Sequence, residues 1–416
     1  MSDMSFDKGF LPCDIYLPAR FVDPAKWAVI ACDQYTSQRD YWDKVGRTVG
    51  GAPSALNVIQ PEIDLDTADE RRPFVRACME KYLSEGVLEK RVSHGFVLTL
   101  RTTPSGARPG LVGAVDLEAY DFAPGNDRPV RASEGTIIER LPPRIKIRRG
   151  AALECPHIML LADDKEGLLV ESVYESVKHA APLYDFELML GGGHLTGWSV
   201  TDSKALTRID RALDDLYTRG SGFLCAVGDG NHSLATAKAC WDELKATLSE
   251  QERAAHPARY ALCEIVNLHC PALRFEPIHR AVFGADLSTL LTSFSWYLAS
   301  KGLKREAGGS IRFTNGKECA CIGVSGEGSM LDTVYLQPWL DEFIAAHPGA
   351  SVDYVHGEDA LMRICADTGA CGILLGTIDK SALFPSILAG GVLPRKSFSM
   401  GSADEKRFYM EARLIA

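Results

Sequence analysis

The amino-acid sequence predicts an α/β (α+β) protein with mixed sheets and helices. Short apolar runs alternate along the chain with segments whose apolar residues are spaced three or four apart, which are the patterns of strands and helices. The composition, 46% hydrophobic and 24% charged, is typical of a folded globular protein. A chain of 416 residues exceeds one ordinary core. We therefore expect an N-terminal α/β region at 1–130, a central region at 131–300 and a C-terminal α+β region at 301–416.

The clearest elements lie in the first two regions. Val29–Cys32 is predicted to be a strand, and Asp66–Leu88 an amphipathic helix. Period-two alternation in "GFVLTLRTT" and "RPGLVGAVDLEAYDF", which flank a Pro-Ser-Gly turn, predicts a hairpin. The stretch "FELMLGGGHLTGWSV" predicts a second hairpin. Thr201–Gly220 carries a capping signal, helical spacing and a terminal glycine, and so predicts a complete helix.

Charge and cysteine usage exclude several classes of protein. A net charge of -10 without an acidic tail disfavours nucleic acid and anionic lipid as partners. The N-terminus has no signal-peptide pattern, and no apolar run reaches the roughly 20 residues that span a bilayer, so we expect a cytoplasmic protein. The 12 cysteines are scattered singly and are expected to be reduced. We expect a small-molecule substrate and no membrane partner; a homodimer is compatible with the sequence.

The stretch "FLCAVGDGNHSLATAKACW", residues 223–241, joins a predicted strand, Phe223–Val227, to a predicted helix, Leu234–Leu244. The first N–H groups of a helix have no acceptor inside it and carry the positive end of its dipole, so a glycine-rich loop there admits an anion. The residues expected to bind phosphate are Gly228, Gly230, Asn231, His232, Ser233 and, from nearly two turns later, Lys238. Asp229 is expected to hold Mg²⁺ or accept a proton. The alternative is a plain turn with Asn231 as a helix cap and His232 at the surface.

Four strings resemble one family. "DGNHSLATAK" resembles the D-G-H-H-R-x-x-x-A segment of the bacterial family called domain of unknown function 1015, and "SEGTIIERLPPRIKIRRGA", "FEPIHRAVF" and "LPRKSFSMG" match further segments of that family. The first segment is in turn similar to a phosphate-binding box of the ParB, sulfiredoxin and ParB-like free-serine kinase proteins. The resemblance implies a ParB/sulfiredoxin-like nucleotide-binding core plus an additional domain.

Two residues depart from the family pattern in that first string. Ser233 stands where the family has arginine, and Asn231 where it has the first histidine. A guanidinium that could bind a phosphate through two hydrogen bonds is thereby lost. Lys238 or an arginine from elsewhere must replace it.

The resemblance implies roles for residues outside this string. Those that match the family's acidic-Thr-Arg-Arg pattern, which would hold a general base beside a triphosphate, are Glu134, Thr136, Arg140 and Arg144. We expect "LPPR" to form a rigid turn there; the alternative is a solvated basic strand. His279 and Arg280 lie in a matching P-x-H-R string, with a buried histidine as the alternative. Lys396 follows a proline as a second anion contact, or simply lies in an exposed basic turn.

These observations predict a protein that binds ATP, or another nucleoside triphosphate, with Mg²⁺ and transfers a phosphoryl group to a small hydroxylated metabolite. By analogy with the ParB-like serine kinases, free serine is the first acceptor to test. Asp229 or Glu134 would take the substrate proton, beside His232. One alternative is a non-catalytic, ParB-like nucleotide-binding switch. Another is a redox protein of sulfiredoxin type, which would need a reactive cysteine in the loop at 228–238, where the sequence has none.

Overall fold

The computed structural model describes residues 4–36, 38–138, 141–325, 330–394 and 396–416. The chain divides into two compact units. The first comprises Met1–Ala132, Thr136–Leu273 and Ser402–Ala416, and the second comprises Ser133–Gly135 and Arg274–Gly401. The division into three regions remains a prediction, and each unit is described by itself below.

The elements are as follows. The strands are β1 (Phe10–Leu11), β2 (Cys13–Pro18), β3 (Leu88–Thr103), β4 (Gly106–Asp116), β5 (Tyr120–Asp121), β6 (Val130–Ala132), β7 (Leu153–Glu154), β8 (Met159–Ala162), β9 (Tyr184–Glu187), β10 (His194–Val200), β11 (Cys225–Asp229), β12 (Tyr260–Asn267), β13 (Phe275–Phe283), β14 (Lys304–Thr314), β15 (Cys319–Ser325), β16 (Ser351–His356), β17 (Cys371–Leu374), β18 (Phe398–Met400) and β19 (Arg413–Leu414). The helices are α1 (Pro24–Trp27), α2 (Arg39–Val49), α3 (Ala68–Ser84), α4 (Leu141–Arg148), α5 (Val170–Val177), α6 (Ser203–Arg219), α7 (Asn231–Lys245), α8 (Glu250–Ala255), α9 (Leu287–Ser300), α10 (Asp332–Ala346), α11 (Glu358–Thr368) and α12 (Leu383–Gly390).

The first unit is built on a mixed sheet, which confirms the predicted fold class. Its strand order is β5-β6-β11-β8-β12-β4-β3-β10-β9, with β1 added to β4 and β2 to β3. Strand β11 runs parallel to β6 and antiparallel to β8, while β12 runs parallel to β8 and antiparallel to β4. Both predicted hairpins are present, as the pairs β3–β4 and β9–β10.

Both faces of this sheet are buried. Along β3, Phe96 and Leu98 contribute to one apolar cluster and Val97 to another, as the period-two geometry of a strand requires. The first of these clusters also takes in the apolar faces of α5, α6 and α7, and the second takes in residues of α1, α2 and α3. The predicted helix at Thr201–Gly220 is α6, and the side chain of Asp202 caps it by accepting from two backbone N–H groups.

Two local predictions are wrong. Val29–Cys32 is not a strand: it makes one isolated bridge, Ile30 to Phe408, although Val29–Ala31 is buried. The "LPPR" string does not form a turn but opens helix α4. Proline is tolerated in the first helical turn, where a backbone N–H would have no partner in any case, so the two prolines start this helix.

The C-terminal segment is held in the first unit by buried charges. The Arg407 guanidinium donates from Nε to Glu264 Oε2 and from Nη2 to Glu411 Oε2, both at 2.7 Å. All three residues are buried, and Tyr184 donates to the other oxygen of Glu411. Removing one member of such a network would leave an uncompensated buried charge, so the network fixes where the neighbouring residues of the tail lie.

The second unit has a smaller sheet, ordered β15-β14-β17-β13-β16, with β18 paired to β13. Helices α9 and α10 pack their apolar side chains on one cluster that includes Phe294 and Trp339, and α11 contributes to another through Leu361. Of the helices in the described ranges, none is both long and apolar enough to cross a bilayer.

Candidate functional site

The junction between β11 and α7 is tighter than the sequence predicts. The strand runs on to Asp229 and the helix begins at Asn231, so Gly230 alone joins them. Gly230 has φ of 77°, a left-handed conformation that favours glycine, and a Cβ there would lie 3.0 Å from Ile158 Cα. Gly230, which precedes the helix, has no side chain to cap it, and the carboxylate of Asp229 accepts from the Gly230 N–H at 3.0 Å. The first turn therefore presents its backbone N–H groups at the end of a central strand.

The predicted phosphate-binding residues lie around this junction. Gly228 is in β11, Asn231 and His232 open α7, and Ser233 follows in the same turn. The half-buried His232 ring accepts, through Nε2, a hydrogen bond of 3.4 Å from the Ile137 backbone N–H. The hydroxyl of the adjacent Thr136 is buried and has no hydrogen-bond partner within the described part of the chain. The structure thus brings the segment at 136–137 to the start of α7.

Lys238 points elsewhere. Its buried ammonium lies 3.1 Å from Asp242 Oδ1, one turn further toward the C-terminus of α7. A lysine paired at i,i+4 in that direction does not reach back to the first turn of its helix. Lys238 is therefore not placed to replace the arginine of the family pattern.

Arg144 is placed well for that role. It lies on α4, which packs against α7, and its guanidinium forms an ion pair with Glu62. Burial lowers the pKa of Arg144, although the charges of Cys32 and Asp33 oppose the shift. Arg140, the other predicted arginine, lies outside the described residues.

A cavity of about 150 Å³ opens beside the first two turns of α7. Its polar lining includes Arg144, His157 and Ser233, and part of its apolar lining is Val58, Met79 and Leu153. Cys32 also lines it. The loop at 228–238 has no cysteine, but a cysteine from a distant part of the chain lines the cavity.

His157 is the buried centre of the polar wall. Its Nδ1 lies 2.7 Å from the Tyr409 hydroxyl, and its Nε2 lies 3.5 Å from both Asp33 Oδ2 and Ser233 Oγ. Burial alone would lower the pKa of His157, but the charge of Asp33 and hydrogen bonds to Asp33 and Cys32 raise it well above its ordinary value. Burial likewise opposes ionisation of Asp33, but the His157 charge and hydrogen bond lower the pKa of that carboxyl. These opposite shifts favour an imidazolium paired with a carboxylate.

Lys406 and Asp229 complete a cluster of polar side chains whose other members are Asp33, Glu62, Arg144, His157 and Tyr409. Asp229 Oδ1 accepts from the Gly230 N–H at 3.0 Å, while its buried Oδ2 makes no hydrogen bond within the described chain and lies 3.4 Å from Lys406 Nζ. The Lys406 charge also helps to lower the pKa of Asp33. The described residues contain no group of three or more His, Cys, Asp or Glu side chains arranged to hold a metal ion.

The remaining predicted site residues belong to the second unit. Glu134 forms a parallel bridge with Leu393. His279 is buried and its Nδ1 accepts from the Leu375 N–H at 3.2 Å, and burial lowers the pKa of His279. Arg280 is 0% exposed and donates to Gln337 Oε1 from Nε at 3.2 Å and from Nη2 at 3.0 Å.

Lys396, also in the second unit, has φ of 59° and is exposed. Its backbone carbonyl accepts from Arg280 Nη2 at 3.1 Å. The Arg280 guanidinium is therefore held by hydrogen bonds within its own unit.

Sequence reasoning missed five members of the cluster in the first unit: Asp33, Glu62, His157, Lys406 and Tyr409. Asp33 directly follows the apolar run Val29–Cys32, and His157 directly precedes the buried run that ends in β8. A polar residue at the end of a buried apolar run was the available signal. Nothing in the sequence indicates that the C-terminal segment supplies Lys406 and Tyr409.

Comparisons with known proteins give one family and several distant structures. The profile of the family described as "Protein of unknown function (DUF1015)" matches residues 17–327. No curated protein matches significantly. A free serine kinase in complex with AMP is 11% identical with a TM-score of 0.38, covering 71% of this chain and 90% of its own. A mutant of a free serine kinase in complex with ADP is 10% identical with a TM-score of 0.39, at the same coverages of 71% and 90%.

A conserved hypothetical protein from Pyrococcus furiosus is 10% identical with a TM-score of 0.35, covering 73% of this chain and 94% of its own. Similarity at this level does not establish a shared activity, and the link to ParB and sulfiredoxin remains a prediction from the sequence.

The left-handed turn before α7 predicts an unequal effect of two alanine substitutions. Gly191 has a similar φ of 76° but would place a Cβ in open space, whereas Gly230→Ala also brings a Cβ against Ile158. Each substitution should cost about 1–3 kcal/mol for the backbone conformation, and Gly230→Ala should cost more because of the contact. Urea denaturation of both variants measures the difference, and equal losses would contradict this geometry.

The Asp33–His157 pair predicts a pH dependence of stability. Because the pKa of His157 is raised from 6.5, its contribution is complete below that pH and is lost as the pH rises through the folded value. The contribution of Asp33 is present above 3.8 and is lost as the pH falls through its lowered pKa. The NMR signal of the His157 ring should still be that of an imidazolium at neutral pH, and Asp33→Asn should lower its midpoint. A wild-type midpoint at or below 6.5 would refute the ion pair.

Proposed function

The chain belongs to the DUF1015 family, and on that basis we propose that its first unit binds the phosphates of a nucleoside triphosphate at the start of α7 and transfers a phosphoryl group to a small hydroxylated metabolite. ATP is the nucleotide to test first. The observation that carries the proposal is the cavity beside the first two turns of α7, whose lining includes the cationic side chains of Arg144 and His157 together with Ser233. Helix N-termini are ready-made sites for phosphate.

Charge in the cluster favours a phosphate chelated to a cation. The cations Arg144, His157 and Lys406 are balanced by three carboxylates, those of Asp33, Asp229 and Glu62. The partial charge of about +0.5 at the helix N-terminus then makes the net charge of the site positive. Because that excess is small, a bare triphosphate would be bound weakly, and Mg²⁺ would be needed to neutralise it. Arg144 and His157 would take the place of the arginine that the family pattern has at position 233.

The apolar end of the cavity suits a flat ring. A volume of about 150 Å³ accommodates a benzene-sized group. Val58, Met79 and Leu153 would pack on part of a nucleobase there, which leaves the phosphates beside Ser233. Such a pocket, with apolar walls and a few polar groups at one end, is typical of small-molecule sites.

Asp229 has the chemistry for one of two roles. ATP, when bound, supplies a transferable phosphoryl group and leaves as ADP. Asp229 Oδ2, which makes no hydrogen bond within the described residues, would either supply one oxygen ligand to Mg²⁺ or accept the proton of the acceptor hydroxyl. One protein carboxylate suffices for Mg²⁺, since this ion usually keeps several waters and phosphate oxygens. Glu134 is the other base predicted from the sequence, and His232 would donate to the phosphates.

Turnover is tested by incubating the full chain with Mg²⁺, ATP or CTP, and a panel of amino acids that includes serine. Phosphorus NMR would detect a phosphorylated product, which we expect with a hydroxylated acceptor. Stabilisation to heat by a nucleotide without any product would favour the non-catalytic switch instead. If no nucleotide gives a product or stabilises the protein to heat, both functions are refuted.

Two variants test the binding site directly. His232→Ala and Arg144→Met should each weaken nucleotide binding by about 1–3 kcal/mol, because each removes a charged or directional partner of the phosphates. Titration calorimetry measures the loss. The matched controls are His194→Ala and Arg149→Met, since His194 pairs with Asp185 and Glu187 and Arg149 is 62% exposed and pairs with Glu243. Wild-type affinity in His232→Ala and Arg144→Met would assign both residues to structure alone.

A further inference from the structure

A second cavity, of about 160 Å³, lies within the second unit at the start of α10. It is unrelated to the phosphate site proposed above, because its lining comes entirely from the second unit. Its polar lining residues are Ser310, Asp332, Thr333, Thr377, Asp379 and Ser397. Hydroxyls and carboxylates are its polar groups, and none of these described residues is a cation.

The buried hydroxyl of Thr333 points to a ligand. It is 3% exposed and lines the cavity, yet its hydroxyl makes no hydrogen bond to any described residue. Burying a hydroxyl without a hydrogen-bond partner destabilises the folded state. A molecule bound in the cavity would supply the missing partner.

Asp332 sets the charge of that molecule. It is the first residue of α10, and its Oδ2 accepts from the Ser310 hydroxyl at 2.6 Å. Burial raises the pKa of Asp332, and the hydrogen bond from Ser310 only partly opposes the shift. A full carboxylate charge outweighs the partial charge of about +0.5 at the helix N-terminus, so this end of the cavity attracts cations.

Size narrows the class of ligand. A cavity of about 150 Å³ holds a benzene-sized molecule, so the second cavity takes a ligand of about six non-hydrogen atoms. We propose that it binds a small primary amine that carries hydroxyl groups, with the ammonium on Asp332 and a hydroxyl on Thr333. The ammonium restores to Asp332 the solvation that burial removes, and the hydroxyl satisfies Thr333.

A matched pair of probes tests the proposal on the full chain. The probes are 2-amino-1,3-propanediol and glycerol, which have the same number of heavy atoms and differ in that an ammonium replaces one hydroxyl. Titration calorimetry should show the amine binding about ten-fold or more tightly than glycerol, as expected for a charged hydrogen bond. No binding of the amine, or equal binding of both probes, would overturn the proposal.

Three variants assign the contacts. Asp332→Asn should remove the preference for the amine, whereas Asp367→Asn, which changes an exposed carboxylate on α11, should leave it unchanged. Thr333→Val should weaken binding several-fold without lowering the melting temperature, since it deletes a buried hydroxyl that has no partner. A melting temperature that falls in Thr333→Val, with unchanged affinity for the amine, would show that the hydroxyl is structural and would overturn its assigned contact.

Discussion

The candidate phosphate site depends on the backbone at Gly230. A left-handed residue between β11 and α7 lets the helix start directly at the end of a central strand, and the closeness of Ile158 allows no side chain there. The sheet itself thus fixes where the first turn of α7 begins, and Ser233 from that turn lines the cavity. Rigid placement of this kind reduces the ordering that binding would otherwise cost.

The rest of the cluster is assembled from distant parts of the chain around that turn. Asp33 follows a buried run near the N-terminus, His157 precedes β8, and Lys406 and Tyr409 come from the C-terminal segment. The buried network of Arg407 with Glu264 and Glu411 stabilises that segment in the first unit. Buried ion pairs add little net stability, but breaking one is costly, so this network acts mainly to fix position.

Local patterns were sufficient for much of the fold but not for the site. The hairpins and α6 follow from alternation, helical spacing and capping, which are properties of neighbouring residues. The strand expected at Val29–Cys32 failed because an apolar run shows burial, not pairing, and the chain there makes a single bridge. The glycines indicated the junction before α7, but the helix was predicted to begin at Leu234 and begins at Asn231. The contact of His157 with Asp33 and Tyr409 depends on tertiary structure, which no spacing along the chain reveals.

In the proposed site, the first-turn N–H groups of α7 bind phosphate. Amide NMR of the isotopically labelled full chain, titrated with Mg²⁺ and ADP, tests it most directly. We expect the amide signals of Asn231, His232 and Ser233 to shift to lower field and saturate together, as hydrogen bonds to phosphate form. Saturable shifts confined to other parts of the chain, with these three signals unmoved, would contradict it.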